Sequence, residues 1–126
     1  MGMNYSIHTA ESFKIPIASQ SKSWNLGAEN VIARLAFAAS LESAEPIQLN
    51  ELLDSKGKEY NSKVLFGTLK ATYESMLCMR EGITATHPEF KKYVKAHVDR
   101  GLGMILEYSS MDFIDVLERF VPDSSE

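Results

Sequence analysis

Apolar residues recur at three- and four-residue intervals over much of the chain, which is the spacing of one face of an α-helix. Within residues 28–41 this apolar stripe is rich in alanine, which suits tight packing, and Arg34 lies away from it. The same spacing extends over residues 63–81, directly before Gly82, a residue suited to a helix C-cap. The pattern therefore predicts a helix over each of these stretches.

The clearest signal for the start of a helix lies at the beginning of residues 86–108. Thr86 is a candidate N-cap, Pro88 suits a first helical turn, and Glu89 stands at the capping-box position. Apolar residues with helical spacing follow. We expect this helix to be the longest of the chain.

Shorter elements are predicted towards the two ends of the chain. Residues 13–17 alternate between apolar and other residues, which predicts a short strand, and Pro16 restricts that strand to an edge. A last helix, capped by Ser109 or Ser110, is predicted to reach Phe120.

These elements define the expected fold class. It is mainly α, with about four helices and one short N-terminal strand in a single domain over residues 1–126. Residues 43–62 show the least regular pattern, and residues 1–11 and 122–126 are expected to be flexible.

Two glycines, Gly101 and Gly103, interrupt the longest predicted helix. Because a glycine inside a helix costs about 1 kcal/mol relative to alanine, close approach of another backbone is the usual reason for it. That backbone could belong to a neighbouring helix, a second subunit or a ligand. His97, Asp99 and Arg100 lie beside the glycines and form the best polar cluster, which would serve either a nicking site or a subunit contact.

Composition limits the class of protein. With 126 residues and 44% hydrophobic residues, the chain can bury a core without a disulfide or a metal. A single cysteine, Cys78, fits a reducing compartment. No apolar run has the length of a membrane span and no secretory signal is visible, so we expect a cytoplasmic protein without membrane contact.

The net charge of −4 is unevenly distributed. Residues 56–100 hold nine basic and five acidic residues, a local charge of +4, whereas residues 107–126 hold six acidic residues and one basic residue. Charges more than about 10 Å apart are largely screened at physiological salt. The basic region can therefore act on a partner independently of the acidic tail.

Two groups of lysines are candidates for phosphate contacts, one around a glycine turn and one in the first turns of the longest predicted helix. They are Lys56, Lys58 and Lys63, and Lys91, Lys92 and Lys95. Lysines on a helix are more often plain solvated surface, so this pattern alone favours DNA binding only weakly.

Other chemistry receives little support from the sequence. His8, His87, His97 and Cys78 lack the close spacing of metal ligands, and we expect neither a metal nor a cofactor. Cys78 stands in an apolar helical stretch, where a buried thiol is a more common interpretation than a nucleophile. No phosphate-binding glycine loop is present in the sequence.

Three blocks of sequence, in this order, resemble the DndE family of DNA sulfur-modification (phosphorothioation) proteins. They are residues 28–41 (AENVIARLAFAASL), 57–67 (GKEYNSKVLFG) and 93–102 (YVKAHVDRGL). The resemblance spans residues 13–106. It implies a small, mostly helical protein that forms a homotetramer and binds double-stranded DNA, with a preference for nicked duplex, through surface lysines.

The resemblance also implies partner proteins: a cysteine desulfurase, an iron–sulfur sulfurtransferase and an ATPase, which together replace a non-bridging phosphate oxygen with sulfur. A strand followed by helices is similar to ribbon-helix-helix DNA binders, in which strands of two subunits pair. We therefore expect a DNA-binding subunit without catalytic activity of its own. A nicking enzyme, a sulfur carrier and a protein scaffold remain alternatives.

The expected DNA contacts combine the basic positions of the chain, and the expected oligomer contacts are Gly101 and Gly103. The DNA-binding candidates are Lys14, Lys22, Lys56, Lys58, Lys63, Lys91, Lys92, Lys95 and Arg100. Each subunit offers a weakly basic surface, so several copies on one duplex would be needed for useful affinity.

Overall fold

The protein, described here over residues 4–120 of a computed structural model, is mainly helical with one small antiparallel sheet. The α-helices of the described part are α1 (Lys14–Ser23), α2 (Glu29–Glu42), α3 (Ser62–Phe66), α4 (Lys70–Glu81), α5 (Phe90–Leu106) and α6 (Phe113–Phe120). The strands are β1 (Ser6–His8) and β2 (Glu59–Asn61), and single 3-10 turns occupy Glu11–Phe13, Leu49–Glu51 and Gly67–Leu69. Within residues 4–120, five helices have eight or more residues, one more than the four expected.

The core forms where α2 packs against α5, the most extensive contact between two elements in the described part. Phe37 of α2 and Leu102 of α5 are fully buried there. Gly101 permits this contact, because a Cβ atom at its position would overlap the backbone of Ala36. The backbone that approaches Gly101 is therefore that of a neighbouring helix in the same chain, and not that of a second subunit or a ligand.

The strand predicted over residues 13–17 is wrong, because this stretch forms the end of a 3-10 turn and the start of α1. Ile17 is fully buried whereas Ile15 is 78% exposed, so the apparent alternation does not mark a strand face. Pro16 lies in the first turn of α1, where a missing N–H leaves no hydrogen bond unmade.

The observed strands lie elsewhere and pair within the chain. β1 falls inside the segment that was expected to be flexible, and it runs antiparallel to β2 with Ile7 opposite Tyr60. Both of these side chains are buried beneath the sheet. The other segment that was expected to be flexible, residues 122–126, lies outside the described residues.

The single helix predicted over residues 63–81 is two helices separated at Gly67. Gly67 has a φ of 62° and a ψ of −145°, which ends α3, and a 3-10 turn leads into α4. Arg34 of α2 donates to the carbonyl of Leu65 at 2.7 Å and to that of Val64 at 3.1 Å. These hydrogen bonds satisfy carbonyl groups in the last turn of α3, where the helix itself provides no donor. α4 ends as predicted, with Gly82 in the left-handed conformation at a φ of 68°.

The capping box predicted at residues 86–89 does not form. α5 begins at Phe90, and no side chain caps it. Instead the Glu89 N–H donates to Nδ1 of His87 at 3.0 Å, inside a turn that precedes the helix. α6 likewise begins at Phe113, later than the predicted caps, and the Val116 N–H donates to the carbonyl of Asp112 at 3.1 Å.

Candidate nucleic-acid interface

A buried ion pair on α5 joins three segments that are distant in sequence. The ammonium of Lys95 donates to Oδ2 of Asp99 and to the carbonyls of His8 and Asp54, each at 2.8 Å. Oδ1 of Asp99 accepts the N–H of Ala10 at 3.1 Å. Lys95 is 7% exposed and Asp99 is 4% exposed. We call this arrangement the Lys95 clip.

The clip changes the role of Lys95. A lysine ammonium has three N–H donors, and all three are used inside the chain. Burial raises the pKa of Asp99, while the Lys95 ammonium and the Ala10 N–H act in the opposite direction by stabilising the carboxylate. Lys95, one of the expected DNA contacts, is therefore a buried structural residue with no donor left for a phosphate.

The loop after Asp54 is held close to the N-terminal segment. Oδ1 of Asp54 accepts the N–H of Glu11 at 2.9 Å and that of Lys56 at 3.0 Å, and these backbone hydrogen bonds lower the pKa of Asp54. The Gly57 N–H donates to the carbonyl of Thr9 at 2.8 Å. A side chain at Gly57 would collide with the backbone of residues 9 and 10, so the glycine allows this close approach.

Three of the expected DNA contacts lie close in sequence to residues of the Lys95 clip. Lys56 follows Asp54 by two residues, Lys14 follows Ala10 by four, and Lys91 precedes Lys95 by one helical turn on the same side of α5. All three side chains are exposed. Within residues 4–120 their ammonium groups form no ion pair. The three lysines therefore belong to or follow the segments that the clip joins, and their exposed side chains are accessible to an anion.

Lys58 lies in a different setting, a shallow groove of about 670 Å³ between β2 and the start of α2. Its ammonium lies 3.3 Å from the carboxylate of Glu29 and 5.9 Å from the ring centre of Tyr60. Glu59 also lines the groove. Because the ammonium of Lys58 already pairs with Glu29 and a second acidic residue lines the groove, this groove is less suited to a phosphate than an exposed lysine without an ion pair is.

The remaining lysines of the expected set are exposed but separate in sequence from the clip. Lys63 lies in the first turn of α3, where Oδ1 of Asn61 accepts its N–H at 2.9 Å. Lys22 lies in the last turn of α1. Lys92 pairs with Glu89 at 3.4 Å on the exposed side of α5. These positions stay predictions as phosphate contacts.

Arg100 is committed to the fold. Its Nε donates to Oγ of Ser40 at 2.8 Å, Nη2 to the carbonyl of Ser40 at 2.9 Å, and Nη1 to the carbonyl of Glu45 at 2.7 Å. These bonds satisfy carbonyls where α2 ends and join that end to α5. Arg100 therefore acts within the chain, and we do not include it in the candidate interface.

His97 occupies the centre of an arrangement that the sequence did not predict. Its Nδ1 lies 2.8 Å from Oγ of Ser40, and its Nε2 lies 2.7 Å from Oε2 of Glu81. Burial lowers the pKa of His97 to about 4, so the ring is neutral near pH 7. The hydroxyl of Ser40 then donates to Nδ1, and Nε2 donates to Glu81. Ser40 lies 57 residues and Glu81 lies 16 residues from His97 in the sequence. Such spacing gives no sequence signal for these hydrogen bonds.

This serine–histidine–glutamate geometry is similar to that of a hydrolase, but its position argues for a structural role. Ser40 and His97 are both 0% exposed. The Ser40 hydroxyl already accepts from Arg100 and donates to His97, which leaves no opening for a substrate. A nucleophile must be able to reach its target in near-attack geometry. The network therefore holds α2, α4 and α5 together.

The thiol of Cys78 lies half-buried on α4. Burial raises its pKa, and the carboxylate of Glu74 adds to this effect. Less of the reactive thiolate is present near neutral pH as a result. Separately, no group of three or more metal-ligating side chains occurs in the part of the chain that the structure describes. Nor do residues 4–120 contain a helix long and apolar enough to cross a membrane.

The two glycines of α5 have different surroundings. Gly101 is buried against Ala36 and offers no surface to a second subunit. A Cβ atom at Gly103 would meet nothing within 4 Å. Gly103 lies in an open groove of about 550 Å³ that Phe13 and Pro16 also line. An oligomer contact at Gly103 stays a prediction.

Comparison with known proteins places the chain in a family. The family model described as DNA sulphur modification protein DndE matches residues 6–112. In structure, the chain is similar to DndE from Escherichia coli B7A, a protein described as involved in DNA phosphorothioation modification, with a TM-score of 0.61 and 21% sequence identity. That match covers 82% of this chain and 97% of the other. No curated protein matches the sequence significantly. The match over most of its length shows that the chain belongs to the DndE family of DNA sulphur modification proteins.

Proposed function

We propose that this protein is a DNA-binding subunit of the bacterial machinery for DNA phosphorothioation. It binds double-stranded DNA, with a preference for nicked duplex, and acts in the cytoplasm as a homotetramer. The observation that carries the proposal is a set of lysines that are exposed, form no ion pair and lie close in sequence to the residues of the Lys95 clip, namely Lys14, Lys56 and Lys91. Membership of the DndE family and the described role of the Escherichia coli relative in phosphorothioation support the pathway.

The chemistry of lysine suits this role. A lysine ammonium contacts a phosphate as a point charge and reads no base, so we expect binding without strong sequence preference. Each neutralised phosphate releases a counterion and adds about −0.9 to the slope of log K against log salt concentration. Three lysines give one subunit only modest affinity. Several copies on one duplex multiply it, which is why the proposal includes self-association.

A preference for nicked duplex follows from the mechanics of DNA. Intact duplex is stiff, and bending it over two or three helical turns costs several kcal/mol. A nick removes much of that stiffness. A protein that gains lysine contacts from several subunits when the duplex bends therefore binds the nicked form more tightly.

The sulfur chemistry itself is assigned to the partner proteins. A cysteine desulfurase, an iron–sulfur sulfurtransferase and an ATPase would supply and transfer sulfur, and this subunit would hold the DNA for them. The raised pKa of Cys78 and the buried position of His97 favour this division of roles over a sulfur carrier or a nickase. Mass spectrometry for a persulfide on Cys78, and incubation with supercoiled plasmid and Mg²⁺, test those two alternatives.

The proposed function is tested by a mobility shift on the full chain. Intact duplex and duplex with a single nick, of the same sequence, are titrated over a salt series. We expect binding to both, tighter to the nicked form, with affinity that falls steeply as salt rises. Absence of binding to either duplex at low salt would refute DNA binding. Equal affinity for the two would refute the preference alone.

A further inference from the structure

The exposed side of α1 combines lysines with an uncovered isoleucine. Ile15 is 78% exposed, and Lys14 directly precedes it. With about 3.6 residues per turn, Lys22 lies on the same side of the helix as Ile15, two turns or about 10 Å further along its axis. Pro16 is also exposed and adds apolar surface. We call the exposed residues of this helix the α1 face, and they are Lys14, Ile15, Pro16, Ala18, Ser19, Lys22 and Ser23.

The α1 face has no negative charge of its own. Within residues 4–120, α1 is the one helix of eight or more residues whose sequence contains no aspartate or glutamate. In the same part of the chain the ammonium groups of Lys14 and Lys22 form no ion pair, not even with Glu11 one turn before Lys14. The face therefore attracts a polyanion.

A second strongly exposed isoleucine has different surroundings. Ile114 is 69% exposed and is the second residue of α6, just as Ile15 is the second residue of α1. Asp112 and Asp115 lie within two residues of Ile114, and both are exposed. Like charges repel a phosphate, so of these two isoleucines Ile15 is the one suited to contact nucleic acid.

The opposite side of α1 is fixed in the protein. Ile17 is fully buried, and the side-chain amide of Gln20 donates to the carbonyl of Ser109 at 3.1 Å. Directly after the helix, the indole N–H of Trp24 donates to the carbonyl of Met111 at 2.9 Å. A helix held in this way presents its exposed side chains at defined positions, as a binding surface requires.

We propose that Ile15 inserts between the two base pairs that flank a nick, while Lys14 and Lys22 contact neighbouring phosphates. The proposal rests on the binding of nicked DNA in the proposed function, and names the residue that recognises the nick. Proteins that kink DNA often place an apolar side chain, isoleucine or proline among them, between base pairs and cations on the backbone. Unstacking an intact step strains two continuous strands, whereas a nick leaves one strand free to open. An apolar wedge therefore adds to the preference for nicked duplex that bending produces.

The proposal is tested with Ile15→Ala and with Ile114→Ala as its matched control. Each variant removes an exposed isoleucine from the second position of a helix and leaves every lysine in place. We expect Ile15→Ala to bind nicked duplex about 10-fold more weakly than the wild type, because it loses apolar area that the base pairs bury. Its affinity for intact duplex and its slope of log K against log salt should not change. Ile114→Ala should bind both duplexes as the wild type does.

Fluorescence reports the insertion directly. 2-Aminopurine is placed beside the nick, where its emission rises when the base is unstacked. The wild type and Ile114→Ala should raise the emission, and Ile15→Ala should not. An equal rise with Ile15→Ala, or an unchanged ratio of affinities for nicked and intact duplex, overturns the wedge and leaves the proposed function standing. A wild type that binds the two duplexes equally overturns the wedge and the nick preference together, and one that binds neither overturns DNA binding as well.

Two further measurements separate the wedge from other roles of Ile15. Weaker self-association of Ile15→Ala in sedimentation velocity would make Ile15 a subunit contact and overturn the proposal. Cosedimentation of the wild type with anionic phospholipid vesicles, lost in Ile15→Ala, would assign the α1 face to a membrane surface and overturn it too. Because Ile15 is exposed, we expect thermal unfolding of the variant, followed by circular dichroism, to match that of the wild type.

Discussion

The ammonium of Lys95 and the carboxylate of Asp99 lie 2.8 Å apart, one turn from each other on α5, and both are almost fully buried. Through the carbonyls of His8 and Asp54 and the N–H of Ala10, this pair fixes the N-terminal segment and the loop after Asp54 against the helix. Lys14, Lys56 and Lys91 extend from these same three segments. A buried charge pair thus joins the segments in which, or directly after which, these exposed charges lie.

The clip makes Lys95 important for stability. In Lys95→Met the carboxylate of Asp99 stays buried without its partner, so we expect the free energy of unfolding to fall by about 3 kcal/mol or more. Urea denaturation at pH 7 measures this. Lys92→Met is the control, because the Lys92–Glu89 pair is exposed and its loss should have little effect. A Lys95→Met protein as stable as the wild type would contradict the clip.

The two glycines of α5 provide a matched pair of substitutions. Gly101→Ala places a methyl group against the backbone of Ala36, and we expect a loss of about 2–4 kcal/mol because α2 and α5 must move apart. Gly103→Ala meets no atom within 4 Å and removes a poor helix former. It should gain up to about 1 kcal/mol. Equilibrium unfolding in urea measures both free energies. Similar effects of the two substitutions would contradict the close contact between α2 and α5 at Gly101.

Acid should destabilise the protein through His97. Burial lowers its pKa in the folded state to about 4, below the ordinary value of 6.5. Between pH 6.5 and about pH 4 the unfolded state binds a proton more readily, so the stability contributed by neutral His97 is lost as the pH falls. The full effect is on the order of 3 kcal/mol. In His97→Gln this part of the pH dependence should disappear from urea unfolding measured at pH 7 and pH 4.5. The same pH dependence in the variant and the wild type would contradict this role.

The sequence predicted the long helices well and the short elements poorly. Residues 28–41 and the body of α5 carry several turns of apolar periodicity, which identifies a helix. A three-residue strand such as β1 gives no such signal, and its pairing with β2 depends on a contact across more than fifty residues. Residues 13–17 alternate with the period of a strand. However, Ile17 is buried while Ile15 is exposed, and the packing of Ile17 into the core as part of α1 overrides the alternation.

The candidate site was also predicted only in part, because its arrangement depends on contacts between residues that are distant in sequence. Lys91 and Lys95 are alike in sequence, one turn apart in a basic stretch, and the structure makes one exposed and the other buried. What separates them is the set of acceptors around Lys95, two of which come from residues 8 and 54. Sequence spacing along α5 contains no information on those distant carbonyls. For the same reason the hydrogen-bond partners of Arg100 were not foreseen.

The central claim is that the exposed lysines around the Lys95 clip neutralise DNA phosphates, and the salt dependence of binding tests it most directly. Equilibrium binding of a nicked duplex is measured over a salt series for the wild type, for Lys56→Ala/Lys91→Ala and for the control Lys58→Ala, whose ammonium already pairs with Glu29. For each lysine lost from a subunit on the duplex, the slope of log K against log salt should become less steep by about 0.9. Lys58→Ala should keep the wild-type slope. A double variant with the wild-type slope and affinity would contradict the account.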